Sequence, residues 1–468
     1  MQKPSLLRRA VSGRAQGGPI RFRDKVIMWE LVLLLLFNYG YMQVRIPPIG
    51  FGIPTGELLL VFYLCSFTVL GAIRHLSKQI LIVPCLVWWF LGMVRALMGV
   101  PKYGVWAIRD ATHVIESFYL LVGYVFFTHE RSREVLLRHY PKVLAIIGVY
   151  SLTYPAREAL QRISPKIPSP NGVPTAIFFW YMFTPGFVLV AAAAYLLLAD
   201  RGAIGKLRAT VVSGVLVAFT VAIYQTRTVY LQFAGIAVFL FVYSRRNVSR
   251  WFAAVLVLIC GVAAIQVTGV QIRGRLDQPI SFQFMADHVA SIVGIESNSA
   301  EGAARGSEQR VDWWKDILHR WTATPTTFMF GLGYGFPLID LITTDGVPVR
   351  EPHNSVISIA ARLGFLGLVA WLWLQALLLL RWRRALAYCN CLGFHRETIF
   401  LKVTMVFSIV VLIGGMTEPS FELTFLTIPY YFLWGLVLAL EASTRKRYRA
   451  ALHTAEAESA PFELLQPA

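Results

Sequence analysis

Apolar positions along this chain gather into long runs separated by short polar connections, most of them basic. The runs are apolar throughout instead of carrying one apolar stripe, as in helices surrounded by apolar material on every side. A run of about 17–25 such residues is long enough to cross a bilayer. Twelve segments are read as spans: Val26–Met42, Glu57–Ile73, Gln79–Val100, Val114–Phe127, Val143–Tyr154, Ala176–Ala199, Ala209–Tyr224, Val229–Tyr243, Trp251–Val270, Ser355–Leu380, Val403–Gly415 and Thr424–Leu440. One connection stands apart. Gln271–Asn354, between the ninth and tenth spans, is hydrophilic and far longer than the others, and a long loop in a compact architecture usually carries function. The pattern predicts an all-α polytopic membrane protein: a basic tail over 1–25, spans one to nine over 26–270, the loop over 271–354, spans ten to twelve over 355–440, and a second tail over 441–468.

Composition narrows the class. Only 15% of the residues are charged and 56% are hydrophobic, whereas a soluble domain carries about 25% charged residues. A soluble enzyme and a disordered chain are excluded. The formal charge of +18 would point to nucleic acid in a soluble protein. Here 28 of the 44 Lys and Arg residues fall in the two tails and the even-numbered connections. Basic residues collect on the cytoplasmic side, so both termini are expected there and Gln271–Asn354 on the outer face. The excess is a topology signal; membrane lipids are partners and nucleic acid is not. Met1–Lys25 is polar and basic, and further spans follow the first run, so no cleavable signal is expected. Cys65, Cys85 and Cys260 lie in apolar runs. Cys389 and Cys391, near His395, lack the paired spacing of a zinc site, so neither metal nor other cofactor is expected.

The loop carries the chemistry. Arg273–Gly306 is polar and rich in small residues and reads as irregular. From Ser307 onward, Val311, Trp314, Ile317, Leu318 and Trp321 recur at helical spacing, which predicts a helix capped by Ser307 or Glu308 and ended by Pro325. Its three Trp suit a membrane–water interface. Lys315 and Arg320 divide evenly between a solvated face and a specific role. Gly331-Leu-Gly-Tyr-Gly335 lacks both the Walker lysine and the dinucleotide spacing, and reads as a turn that lets backbones approach closely. His353, held by Pro352 at the mouth of the tenth span, is placed to act as a general base, since imidazole titrates near pH 6.5; equally, it can bond a neighbouring carbonyl. Asn354 or Ser355 can cap the helix that follows. Arg227 lies in the tight turn Gln225–Thr228, at or just inside the membrane surface, where an ionisable residue is a functional candidate and a guanidinium suits phosphate. Arg362, two turns into the tenth span, must face the bundle or a wet cavity.

These features together resemble the bacterial O-antigen ligase and polymerase superfamily. Thr226-Arg227-Thr228, the segment Arg310-Val-Asp-Trp313-Trp314 followed by Pro325 and Gly331–Gly335, the sequence Pro352-His353-Asn354 before Gly364-Phe-Leu-Gly367-Leu368, and the late acidic turn Glu418-Pro419 resemble its motifs in order and placement. Arg362 departs from the pattern, which often has an acid there. The resemblance implies a metal-independent, inverting membrane glycosyltransferase of the C type that acts without a cofactor. Its donor would be a glycan on undecaprenyl diphosphate. Its acceptor would be a lipid A–core sugar or another lipid-linked glycan, for a ligase or a surface-polysaccharide polymerase of the inner membrane. His353 would be the catalytic residue, and Arg227, Arg305, Arg310, Asn354 and Glu418 the substrate-binding set. A lipid-linked glycan transporter or flippase also fits twelve spans, although carriers usually show internal repeats, which this sequence lacks.

Overall fold

The computed structural model describes residues 19–459 except 47–51, 66–70, 72, 75–81, 169–173, 180, 182–183, 200–201, 270–271, 273, 276–277, 291–300 and 343–347. The described chain is almost wholly helical. Its helices are α1 (Phe22–Tyr41), α2 (Thr55–Leu64), α3 (Ile82–Tyr103), α4 (Val105–Asp110), α5 (Thr112–Ile115), α6 (Tyr119–Thr128), α7 (Glu130–Ser151), α8 (Arg157–Ile163) and α9 (Thr184–Leu198). They continue as α10 (Ala203–Tyr224), α11 (Arg227–Tyr243), α12 (Arg245–Thr268), α13 (Phe282–Ala290), α14 (Glu301–Thr322), α15 (Pro325–Phe330), α16 (Ser355–Leu392), α17 (His395–Thr417) and α18 (Thr424–Ser459). Among the described residues, strands form three two-stranded hairpins between helices.

A helix lies at each of the twelve apolar runs, but they differ in reach. Among the described residues, six are long and apolar enough to cross a membrane, the segments 83–103, 203–224, 245–268, 355–392, 395–417 and 424–454. A seventh forms if Glu130–Ser151 and Tyr154–Ile163, bent by 50° to each other, count as one span. Thr55–Leu64, Thr112–Thr128, Thr184–Leu198 and Arg227–Tyr243 are shorter. α1 carries Asp24 and Glu30 inward, Glu30 accepting from Tyr41 at 2.8 Å and Thr55 at 2.9 Å.

The core is the seam between α6, α9, α16, α17 and α18, where Leu121, Val188, Leu378, Val406 and Leu436 are buried in one cluster. α6 and α18 meet through Gly123 and Gly435. A Cβ on either would run into the backbone of the other helix, so small residues let the two axes close, as membrane helices that cannot use water exclusion must.

α16 is broken at Gly364, which takes φ +70°. The break releases the carbonyls of Ala361 and Arg362 from the helical ladder, and the amides of Leu332 and Gly333 bond them at 2.6 and 3.1 Å. Gly331, Gly333 and Gly335 all have positive φ. The close backbone approach expected of this glycine turn is therefore made, against the kink of the tenth predicted span.

The loop over 271–354 is more helical than its sequence predicts. α13 and the first turns of α14 occupy ground read as irregular, and α14 begins six residues ahead of the expected Ser307 cap. Ala303 and Ala304 are strong helix formers and extend it backwards. It ends before Pro325, which opens α15 behind a Thr324 capping box. The buried face also differs: Ile317 is fully buried, with Trp313 packed beside it, while Val311 and Leu318 are exposed. Tryptophans on two sides of the helix blur its apolar stripe.

Candidate active site

The N-termini of α11 and α16, the middle of α14 and the C-terminus of α17 converge on one carboxylate. Glu418 follows α17 as its C-cap, in the turn to α18. Its Oε2 lies 3.1 Å from Nδ1 of His353, and its Oε1 lies 3.4 Å from Nη2 of Arg310. Arg310 also donates to the Thr417 carbonyl at 3.0 Å. Burial pushes the Glu418 carboxyl up, but the His353 hydrogen bond and the charges of Arg310, His353 and Arg275 outweigh it and hold the group below its ordinary range. An ionised Glu418 can only accept, so Nδ1 of His353 donates, and in the neutral imidazole the lone pair then lies on Nε2.

His353 is held from three sides. Its backbone takes φ +50°, a left-handed conformation that costs a non-glycine residue about 1–3 kcal/mol. Trp314 on α14 donates its indole N–H to the Pro352 carbonyl at 2.7 Å. Trp313 stacks near the imidazole, with ring centroids 6.4 Å apart. After it, the Asn354 carboxamide caps α16, accepting from Val356 and Ile357 at 3.0 and 3.1 Å, and donates to the Met416 carbonyl at 3.0 Å. Asn354, expected to bind substrate, is engaged at both ends of its amide with the protein. Ser355 bridges on to Glu422, donating at 2.7 Å.

Arg227 opens α11, within electrostatic range of Arg310. The loop folds back over its turn: Arg275 N bonds the Ile223 carbonyl at 2.9 Å, and Gln225 donates to the Gln278 carbonyl at 3.2 Å. This brings Arg275 onto a cleft shared with Thr226, Thr228, Glu418 and Ser420. The cleft is polar at this mouth and apolar below, where Phe187, Val410, Val411 and Leu426 line it. The sequence reading missed Arg275, since nothing in its spacing separates it from other loop cations. It also missed His288 on α13, which is buried against Phe284 and near Tyr230. Burial, then the charge of Arg227, lowers the His288 pKa to about 4. Arg305 lies in the first turns of α14, and its side chain is outside the described residues.

A second ionic group fastens the site from behind. Arg362 is fully buried and bonds Asp110 at 3.0 Å and Glu351 at 2.9 Å. Arg350 reaches Asp110 at 3.3 Å and the Gly335 carbonyl at 2.7 Å. The segment that ends in His353 is thereby tied to α4, to the glycine turn and to α16. The two carboxylates explain how Arg362 can stand at an internal position. They were not visible in the sequence, because Asp110 comes from a distant helix. On α14, Lys315 pairs with Asp312 on an exposed surface, whereas Arg320 donates to the Leu338 carbonyl and lies over the Phe336 ring.

Residues 212–372 match the O-antigen ligase family model; the match supports the O-antigen ligase and polymerase superfamily and, with the apolar helices, indicates a bacterial membrane protein. The match covers Arg227, Arg310, His353, Asn354 and Arg362; Glu418 and Asp110 lie beyond it. No curated protein sequence matches the chain.

Proposed function

We propose that this protein is a glycosyltransferase of the O-antigen ligase type, which transfers a glycan from undecaprenyl diphosphate to a sugar hydroxyl, without a metal and with inversion at the anomeric carbon. The acceptor is a lipid A–core sugar or the end of another lipid-linked glycan. The observation that carries the reading is the chain Arg310–Glu418–His353, whose Glu418 lines, with Arg275, the polar mouth of a cleft that is apolar below.

Each residue then has a role. Arg310, Arg227 and Arg275 neutralise the diphosphate, whose departure needs charge stabilisation more than proton donation. The acceptor oxygen forms its bond to the anomeric carbon from the face opposite the diphosphate as the bond to the phosphate oxygen breaks. The hydroxyl proton passes to Nε2 of His353, and Glu418 fixes the tautomer and stabilises the imidazolium that results. Asn354 and the Arg362 group hold His353 in place. The apolar lower cleft takes the start of the prenyl chain. In the membrane setting we assign, all twelve apolar helices cross or enter the inner membrane, both termini are cytoplasmic, and the loop 271–354 and the site are periplasmic. A flippase would have no use for an imidazole with a free lone pair beside a diphosphate site, which favours transfer.

The test is a transfer assay on purified protein with a lipid-diphosphate glycan donor. A general base is worth about 10²–10⁴ in rate, so His353→Ala should lose at least about a hundredfold while still binding donor. His353→Asn supplies the folding control, because Asn tolerates left-handed backbone well. It should stay folded, at least as stable to heat as His353→Ala, and lack activity. EDTA should leave the wild-type rate unchanged. Full activity in His353→Asn removes the base; activity lost to EDTA and restored by Mg²⁺ removes the metal-free mechanism.

A further inference from the structure

We propose that the chain holds one anionic phospholipid in a slot at the end of the bundle opposite the candidate active site. Two cavities meet there. One, of about 470 Å³, lies between α1, α7, α9, α17 and α18 and is walled by side chains such as Leu35, Ile147, Val403 and Phe407. The other, of about 500 Å³, opens beside Arg138 and Arg396. Tyr140 lines both.

The apolar cavity has roughly three times the volume of the ~150 Å³ apolar cavity that takes up benzene. Side chains facing a void of that size forfeit their dispersion contacts, so an apolar chain is the natural filling. The mouth determines what that chain is attached to. Arg138, Lys142 and Arg396 are exposed around it. Among the described residues, no carboxylate lies within ion-pair distance of any of the three. Glu134, which also lines the mouth, pairs with Arg131 at 2.8 Å, and Glu130 pairs with Arg133 and Arg447, each at 3.8 Å, so three basic side chains face one acid that is already paired. The mouth is therefore cationic and suits a phosphate headgroup.

The glycan donor cannot be this occupant. α17 begins at His395, next to the mouth, and ends at Thr417, next to Glu418, and its 23 residues span roughly 34 Å. A diphosphate at Arg310 is a membrane thickness away from Arg138 and Arg396. The occupant must carry its phosphate at the far face, as a diacyl phospholipid of that leaflet does. Because α17 and α18 wall the slot and carry Glu418 and Glu422 at their other ends, a bound lipid would brace the helices that hold the site. The inference rests on the membrane setting and not on the transfer chemistry, so a failed transfer assay leaves it standing.

Native mass spectrometry of purified protein offered phosphatidylglycerol or phosphatidylcholine with identical acyl chains tests it. Wild type should retain one phosphatidylglycerol in preference to phosphatidylcholine. Each basic side chain near an anionic headgroup contributes about fivefold, so Arg138→Gln/Arg396→Gln should lower phosphatidylglycerol retention by roughly 30-fold. Val403→Trp, which fills the apolar part, should lower it with the charges intact. Equal retention of the two lipids by wild type, or undiminished phosphatidylglycerol on the double Gln variant, would overturn the proposal. Displacement of the lipid by undecaprenyl phosphate would assign the slot to the donor chain and overturn it as well.

Discussion

Glu418 meets His353 with one oxygen and Arg310 with the other, so a single carboxylate fixes the imidazole and a guanidinium together. Glu418→Gln keeps the shape but withdraws the charge that imposes the Nδ1–H tautomer. Transfer should fall by about 10²–10⁴ with donor binding less affected. Arg310→Lys keeps the charge and loses the second arm of the fork, so it should slow transfer by weakening both the diphosphate contact and the hold on Glu418. A purified Glu418→Gln protein with wild-type turnover would leave His353 without its orienting partner. The pH dependence follows from the same carboxylate. Its pKa is lowered in the folded protein, the opposing pull of burial being outweighed by His353 and Arg310. The stabilisation is present above the unfolded carboxylate value and is lost only as pH falls through the lower folded value. The His353–Glu418 pair should therefore survive at pH 5, where the wild type and Glu418→Gln should still differ in thermal stability.

The elements that carry these residues meet at a kink and at a turn. A Cβ on Gly364 would strike the Met329 carbonyl, and φ +70° is hostile to any other residue. Gly364→Ala should cost the fold about 1–3 kcal/mol or more, whereas Gly261→Ala on α12, where a Cβ meets open space, should be neutral or stabilising by up to about 1 kcal/mol. Thermal unfolding in detergent of the two variants checks the contrast. In the turn before α18, burial raises the Glu422 carboxyl to about 7, the nearby Glu351 adding to the shift. For an acid with a raised folded pKa, stability falls as pH rises from the unfolded value, near 4.5, to about 7. Glu422→Gln should flatten the Tm-versus-pH curve over that window; an unchanged slope would show that Glu422 titrates normally. How far these elements could be read from the chain depends on how local their cause is. The apolar runs, the α14 helix and the close approach at Gly331–Gly335 are set by residues adjacent in sequence, and the candidacy of His353, Arg227 and Arg310 rests on their immediate neighbours. The start of α14 was misjudged because polar, small residues carry little apolar period. The pairing of Arg362 with Asp110, the arrival of Arg275 at the cleft and the burial of His288 are products of tertiary packing, and no spacing rule reaches them.

At the scale of the whole molecule, the site and the basic residues occupy opposite ends of the same helices. α16 runs from Ser355, bonded to Glu422 beside the site, past Arg381, Arg383 and Arg384 to Leu392, and the stretch after its break at Gly364 alone covers roughly 42 Å, well beyond a ~30 Å hydrocarbon core. α17 returns from His395 to Glu418, and α18 leads from Thr424 beside the site to Arg445, Lys446 and Arg447. The clusters in the tails and on α7 are expected to face the cytoplasm, where Lys and Arg accumulate. If so, Glu418, His353 and the loop face outward, and a donor already flipped across the membrane meets them there. The short helices α2, α9 and α11 matter to this count, because each must cross or enter the bilayer for both termini to lie on one side. Cysteines placed at Ser299 and Ser307 in the loop should react with a membrane-impermeant thiol reagent in intact spheroplasts, in a background without the native cysteines. A cysteine at Ser443, beside the basic end of α18, should react only after lysis. The reverse pattern would invert the whole assignment and put the candidate site on the cytoplasmic face. Labelling of all three in intact cells would instead require an odd number of crossings between the loop and the C-terminal tail to be replaced by an even one, leaving the His353 chemistry in place but removing the twelve-span arrangement.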